Sequence, residues 1–116
     1  MNHAIQIDEY GGSEVMHWRE IPLADPAPGE VRIRHSAIGL NFIDIYHRSG
    51  LYPVESLPFI PGVEAAGVIE AVGEEVLDFS PGDRVAYAGG PLGAYTESRN
   101  FPARQLVGLP EGIDER

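Results

Sequence analysis

Apolar and polar residues alternate along three short stretches in the first third of the chain, at positions 5–8, 16–19 and 31–36. Alternation with a period of two is typical of a β-strand with one face buried and the other in water. The second stretch, which contains Met16 and Trp18, is therefore predicted to be half buried like the other two. Two prolines between positions 25 and 30 remove backbone donors and predict a loop before the third strand.

A single short helix is predicted after the third strand. Asn41 is a favourable N-cap residue, and Asp44, three positions later, suits the positive end of the helix dipole. Gly50 can adopt the left-handed conformation that ends a helix. Four side chains recur at helical spacing and share one face: Phe42, Ile45, Tyr46 and Ser49.

The second half of the chain is again rich in strand signals. Residues 62–72 are small and apolar on both faces, which is typical of a central strand covered on both sides. Turn and loop signals separate three further predicted strands, at 84–87, 94–98 and 105–107. Many short strands with a turn about every ten residues predict a mainly β fold, a small or partly open β-barrel.

Composition supports one globular domain covering residues 1–116. The chain is 43% hydrophobic, enough for a single core in 116 residues. Its 14 glycines and 10 prolines make up about a fifth of the residues, above average usage. They fall between short apolar runs and not in one block, so they predict tight turns and not a disordered tail.

The charge balance narrows the classes of partner. A net charge of −10 argues against nucleic acid or an anionic membrane surface. The chain has no cysteine, which excludes disulfides and thiolate metal sites and suits a reducing cytoplasm. It also has no apolar run long enough to span a bilayer and no signal-peptide pattern at its start. A soluble cytoplasmic protein is expected.

The segment 41–52 carries the densest set of reactive side chains: Asn41, Asp44, Tyr46 and Tyr52. The residue types alone favour an ordinary capped helix whose aromatic rings fill the core. The alternative is a binding site, because a phenol can donate a hydrogen bond to a carbonyl or a ribose while its ring borders an apolar cleft.

Residues 39–53 and the glycine-punctuated stretch 61–73 together resemble the quinone oxidoreductase branch of the medium-chain dehydrogenase/reductase superfamily. The resemblance runs from Ile5 to Ile113. It implies the N-terminal catalytic domain of that branch, a GroES-like, partly open β-barrel with one or two short helices. The strand pattern leads independently to the same kind of fold.

The resemblance also implies a function, hydride transfer from NADPH to a quinone or another conjugated carbonyl without zinc. It implies a set of contacts with the nicotinamide half of NADPH: Asn41, Phe42, Ile43, Asp44 and Tyr46. Tyr52 is implied as a residue lining the substrate cleft. No residue is identified as an obligatory acid or base, and either Tyr52 or solvent could deliver the proton.

The motif Gly62-Val63-Glu64 predicts that no zinc is bound. Zinc-dependent relatives in the superfamily carry a metal-binding histidine where this chain has Val63, and a cysteine near the position of Asn41. The four histidines of the chain show no paired ligand spacing. For Glu64, a structural hydrogen-bond anchor is favoured over a role in proton transfer. If its carboxylate is buried in the apolar strand, the oxygens must accept hydrogen bonds from backbone donors or an arginine.

The nucleotide-binding half of such an enzyme is not found in the sequence. The glycines at 62, 67 and 73 lack the Gly-x-Gly-x-x-Gly spacing and no helix follows them. Eight arginines and no lysine leave the phosphates of NADPH without an evident basic cluster. The chain is therefore expected to be a fragment of a longer protein, inactive alone, that lacks the Rossmann domain and ends in a polar stretch at 114–116.

Two further expectations concern partners. A domain separated from its Rossmann partner should self-associate through the apolar face that this partner would cover, formed by the turn around Phe42, Tyr46 and Tyr52 and by the last strand near Leu106 and Leu109. The alternative function is a stand-alone GroES-like module for binding or assembly, which would need exposed apolar edges to pair with a partner.

Overall fold

Strands dominate the computed structural model, which describes residues 2–113. The seven strands are β1 (Asn2–Ile7), β2 (Met16–Ile21), β3 (Glu30–Ile38), β4 (Glu64–Val72), β5 (Arg84–Ala88), β6 (Ser98–Pro102) and β7 (Val107–Gly108). One α-helix, α1, runs over Phe42–Ser49, and two short 3-10 turns occupy Ser13–Val15 and Ala103–Gln105. The predicted polar end of the domain at 114–116 lies outside the described residues.

Five of the strands form one antiparallel sheet in the order β6-β3-β4-β5-β7. β4 lies at its centre, as the small apolar residues of that stretch predicted. The long pairing of β3 with β4 places Val31 opposite Val72 and Ile38 opposite Ala65. Glycine is required in β4, because a Cβ at Gly67 would lie 2.1 Å from the carbonyl oxygen of Arg34. Within residues 2–113 every strand pair is antiparallel, whereas a Rossmann domain is built on parallel strands.

The core lies on one face of this sheet. Its fully or largely buried side chains come from four strands and one loop: Val31, Ile33, Ala65, Ile69, Val85, Tyr87, Ala94 and Phe101. The rings of Tyr87 and Phe101 stack with their centroids 4.0 Å apart. This contact joins β5 to β6 across the two strands that separate them in the sheet.

The hairpin of β1 and β2 is a separate two-stranded sheet. β1 connects it to the remainder of the domain through bridges from Ala4 to Thr96 and from Ile7 to Phe59. The prediction that β2 is half buried through Met16 and Trp18 is wrong, because within residues 2–113 β2 pairs only with β1 and both of these side chains are exposed. Trp18 is 61% exposed and stacks on the ring of His3, with centroids 5.1 Å apart.

Two predicted strands are shifted along the chain. The strand predicted at 94–98 is observed at Ser98–Pro102. The first four residues of the predicted stretch contain an isolated bridge, at Thr96, and no strand. The last strand is Val107–Gly108, later than the predicted 105–107. Gln105, the first residue of the predicted strand, belongs to the 3-10 turn Ala103–Gln105. No helix in the described part of the chain is long and apolar enough to cross a membrane.

Candidate functional site

Helix α1 has the predicted ends but the reverse of the expected burial. Asn41 is its N-cap, and Gly50 ends it in the left-handed conformation with φ of 87°. Its buried side chain is Asp44, which is only 4% exposed, whereas Phe42 is 79% exposed. The interpretation in which the helix aromatics fill the core is therefore wrong for Phe42.

The carboxylate of Asp44 is held at the N-terminal end of α1 by two hydrogen bonds to the same oxygen. The backbone N–H of Asn41 donates to Oδ2 at 3.0 Å, closing half of a capping box. The hydroxyl of Tyr95 donates to Oδ2 at 2.6 Å. A buried carboxylate requires such donors, since an unpaired charge in the interior is costly.

Tyr95 is a site residue that the sequence pattern did not reveal. It lies 51 residues from Asp44, so no local spacing connects the two. Burial, and next its hydrogen bond to Asp44, raise the pKa of Tyr95 far above the usual value for a phenol. The hydroxyl therefore stays protonated and acts as a donor at physiological pH.

Two polar atoms beside this contact have no partner. Asn41 Nδ2 and Asp44 Oδ1 are buried and make no hydrogen bond within residues 2–113. Buried polar atoms without partners are rare in folded proteins. Their concentration at one helix end distinguishes this place from an ordinary capped helix.

Tyr46 and Tyr52 lie together, as their implied roles require. Their rings meet edge to face, with centroids 5.3 Å apart and planes at 77°. The backbone N–H of Tyr52 also donates to the carbonyl of Tyr46 at 3.2 Å. Tyr46 is half buried and Tyr52 is 52% exposed, so the pair lies at the surface of the domain.

An open groove of about 470 Å³ borders the segment that leads into α1. Its lining is mostly apolar and includes Ile5, Trp18, Ile38, Gly39, Leu40 and Tyr95. Ile43, the remaining sequence-predicted contact, is exposed on α1 beside Phe42. The structure thus places all six predicted site residues on α1, its cap and its exit loop, but none of the six lines the groove, which ends at Leu40 and Tyr95.

Glu64 lies against this segment, but not through the predicted side-chain anchor. Its backbone carbonyl accepts a hydrogen bond from the N–H of Gly39 at 3.1 Å. A Cβ at Gly39 would lie 2.0 Å from Glu64 Oε1, so the side chain packs closely on the glycine. The carboxylate itself makes no hydrogen bond to another described residue. The hydrogen bond that joins Glu64 to this segment comes from its backbone, and a structural role for its side chain stays a prediction.

A metal site does not emerge around Val63. Its backbone carbonyl accepts a hydrogen bond from Gly89 at 2.7 Å. Across residues 2–113 there is no group of three or more His, Cys, Asp or Glu side chains placed to hold a metal ion. That zinc is not used stays a prediction, resting on Val63 and on the absence of cysteine.

Curated proteins with similar sequences are oxidoreductases. The chain is 57% identical over 114 residues to a quinone oxidoreductase of Pseudomonas aeruginosa, a match covering 98% of this chain and 35% of that protein. It is 44% identical over 114 residues to the 2-haloacrylate reductase of a Burkholderia species, covering 96% of this chain and 34% of that protein. The chain therefore spans about a third of the length of the curated relatives it matches.

Solved structures give the same picture for the fold. The quinone oxidoreductase of Pseudomonas syringae pv. Tomato DC3000 superposes with a TM-score of 0.95 at 50% identity, over 99% of this chain and 35% of that one. The Escherichia coli quinone oxidoreductase, solved in complex with NADPH, superposes with a TM-score of 0.94 at 45% identity, over 97% of this chain and 35% of that one.

The match to a sequence family completes these comparisons. The family described as the alcohol dehydrogenase GroES-like domain matches residues 27–111. This range contains the central sheet, α1 and Tyr95, and the predicted GroES-like fold is confirmed. The chain belongs to the alcohol dehydrogenase GroES-like domain family.

Proposed function

We propose that this chain is the N-terminal domain of a zinc-free, NADPH-dependent quinone oxidoreductase that transfers hydride to quinones or conjugated carbonyls. One observation carries the proposal: α1 exposes Phe42 and buries the carboxylate of Asp44. A helix that served only to complete the core would do the opposite. The alternative of a stand-alone binding module has no comparable observation in its favour.

The side chains at α1 suit one half of NADPH better than the other. Amide and phenol groups such as those of Asn41 and Tyr46 can bind the hydroxyls of a ribose and the carboxamide of nicotinamide. The basic side chains of α1, His47 and Arg48, lie in its last turn, and Arg48 Nε donates to the carbonyl of Gly11 at 3.2 Å. The nicotinamide half therefore fits this surface, and the phosphates would need basic groups from another domain.

The chemistry assigned to the chain's own residues is mainly orientation. When bound, NADPH would supply the hydride. Asn41, Asp44 and Tyr46 would hold the nicotinamide end in one orientation, and the exposed rings of Phe42 and Tyr52 would exclude water from the side where the substrate lies. The proton that completes the reduction would come from the Tyr52 hydroxyl or from solvent. The chain alone, without a site for the phosphates, would be inactive.

A domain replacement tests the proposal. In the Pseudomonas aeruginosa quinone oxidoreductase, to which this chain is 57% identical, the matching segment would be replaced by this chain. The chimera is expected to oxidise NADPH in the presence of a quinone at a rate comparable with that of the relative. The isolated chain serves as the control and should show no turnover. A folded chimera that does not reduce quinones would overturn the proposal.

In that chimera, Tyr46→Phe is expected to lower kcat/KM severalfold. The ring keeps its edge-to-face contact with Tyr52, and only the hydroxyl is lost. One hydrogen bond is worth about 0.5–1.5 kcal/mol, which corresponds to a severalfold change in rate. Steady-state kinetics measure the effect, and an unchanged melting temperature shows that folding is intact. Unchanged kinetics would mean that Tyr46 only packs against Tyr52.

We also propose that the isolated chain self-associates through an apolar face around α1. The exposed large apolar side chains of this region are Leu40, Phe42, Ile43, Ile45, Leu51 and Tyr52. Leu106 and Leu109, also predicted to contribute, are half buried. Contiguous apolar surface drives association, and charge repulsion is screened beyond about 8 Å at physiological salt.

Sedimentation velocity at increasing concentration is expected to show dimers or larger species of the isolated chain. Phe42→Ser should shift the distribution toward monomer, whereas Leu77→Ser, which removes a still more exposed side chain outside this region, should not. A compact monomer that binds no hydrophobic dye at high concentration would contradict the proposal and favour the stand-alone module.

A further inference from the structure

Helix α1 is fastened at its two ends by contacts from different parts of the chain. At its C-terminal end, the N–H of Gly11 donates to the carbonyl of Arg48 at 2.9 Å, and Arg48 Nε donates back to the carbonyl of Gly11 at 3.2 Å. At its N-terminal end, the Tyr95 hydroxyl donates to Asp44. Between these points α1 packs less extensively on the strands of the described chain than the strands pack on one another. Its orientation therefore depends strongly on the two end contacts.

Tyr95 is a rigid donor. Its backbone N–H donates to the carbonyl of Pro61 at 2.9 Å, and its carbonyl accepts from the N–H of Ile5 at 2.9 Å. Its ring lies over Gly62, where a Cβ would come within 2.7 Å of the ring carbon Cδ1. The backbone and the inner edge of the ring of Tyr95 are thus held by β1 and by the segment before β4, and not by α1.

Asp44 depends on this donor. Among the described residues its carboxylate accepts two hydrogen bonds, both at Oδ2, and one of them comes from the cap of α1 itself. The Tyr95 hydroxyl is therefore the contact that ties the carboxylate to the remainder of the domain. Without it, the buried carboxylate would keep only a local donor and would turn toward solvent, carrying the first turn of α1 with it.

We propose that Tyr95 is a positioning residue that fixes the N-terminal end of α1, and with it the segment 41–46, in the orientation that receives the nicotinamide half of NADPH. This inference rests on the function proposed above. Tyr95 does not itself lie on α1, its cap or its exit loop. It acts on this segment through its hydrogen bond to Asp44.

The first test needs no activity. Amide hydrogen exchange of the isolated chain, at a concentration at which sedimentation shows monomers, would be compared for the native sequence, Tyr95→Phe and Tyr87→Phe. Tyr95→Phe is expected to speed exchange of the α1 amides about tenfold, because a hydrogen bond to a charged group is lost. Tyr87→Phe removes a hydroxyl bonded to His35 and serves as the matched control; it should leave α1 exchange unchanged. Equal α1 exchange in Tyr95→Phe and the native chain would overturn the proposal.

The second test uses the chimera with the Pseudomonas aeruginosa relative. Tyr95→Phe is expected to raise the KM for NADPH about tenfold while the KM for the quinone changes little, a split that general loosening of the fold would not produce. In an Asp44→Asn background the same substitution should have a much smaller effect. Equal effects in the two backgrounds would show that Tyr95 does not act through Asp44.

The two tests separate the two proposals. If the native chimera does not reduce quinones, the proposed function fails, and the exchange experiment still decides whether Tyr95 holds α1. If the chimera is active and Tyr95→Phe leaves its KM for NADPH unchanged, the positioning role alone fails. Should Tyr95→Phe not fold, Asp44→Asn weakens the same hydrogen bond from the acceptor side and is subjected to the same hydrogen-exchange measurement, in which unchanged exchange of the α1 amides would overturn the proposal.

Discussion

Replacement of Phe101 with alanine is expected to lower the free energy of unfolding by about 3–5 kcal/mol. Phe101 is fully buried in β6 and stacks on Tyr87, with ring centroids 4.0 Å apart. The guanidinium of Arg99 also lies over its ring at 5.0 Å. Domains of this size are typically stable by only about 5–15 kcal/mol, so the loss would bring the chain close to unfolding.

Urea denaturation followed by circular dichroism measures this change. The control is Leu77→Ala, because Leu77 is 93% exposed and its truncation should change the free energy of unfolding by less than about 0.5 kcal/mol. Similar denaturation midpoints for the two variants would mean that the Tyr87–Phe101 contact is not the centre of the core.

The second large effect is expected from pH, through His35 on β3. Its Nδ1 donates to the carbonyl of Thr96 at 2.8 Å, which leaves Nε2 to accept from the Tyr87 hydroxyl at 3.0 Å. Arg99 Nη1 donates to the same hydroxyl at 3.3 Å. Burial lowers the pKa of His35, and the nearby positive charge of Arg99 acts in the same direction, against the hydrogen bond to Thr96. The folded chain therefore holds His35 neutral.

The sign of the pH dependence follows from the two states. In the unfolded chain His35 has an ordinary pKa of 6.5, so it binds a proton as the pH falls through that value, while in the folded chain it does not. The unfolded state then holds more protons, and the free energy of unfolding decreases as the pH falls. The contribution of neutral His35 to the free energy of unfolding is fully present above pH 6.5. It is lost as the pH falls from that value to the lower pKa of His35 in the folded state.

Urea denaturation midpoints would be measured at about pH 7.5 and about pH 5.5, above and below the pKa of the histidine in the unfolded chain, where most carboxylates do not titrate. The native chain should lose stability between the two values, and His35→Gln should show a smaller loss, although it is less stable throughout. His17→Gln, which changes an exposed histidine on β2, should keep the slope of the native chain. The same slope in His35→Gln and the native chain would contradict the assignment to His35.

The ends of α1 were predictable from sequence because they are local. An asparagine before the helix and a glycine after it act within one turn, and both are observed in those roles. The burial of Asp44 was not predictable, because its donor is 51 residues away and belongs to a segment that was expected to be a strand. Helical spacing indicates which side chains share a face but not which face is buried.

The sheet shows the same division between local and distant causes. The small apolar residues of β4 predict a central strand because they have no polar face, and β4 is central. The alternation at Met16 and Trp18 correctly predicted that this stretch is a strand. It did not predict that the strand is exposed, because burial depends on whether another layer covers β2. No pattern within β2 reports on that.

The attachment of α1 through Tyr95 has a consequence for the order in which the domain is made. Ribosomal synthesis proceeds from the N-terminus, so the residues of α1 and its partner Gly11 are made well before residue 95. Closure of a long loop costs entropy that only later contacts repay. The first turn of α1 therefore takes its final place only once the segment carrying Tyr95 has docked between Ile5 and Pro61, which makes the candidate binding surface one of the last parts of the nascent domain to mature.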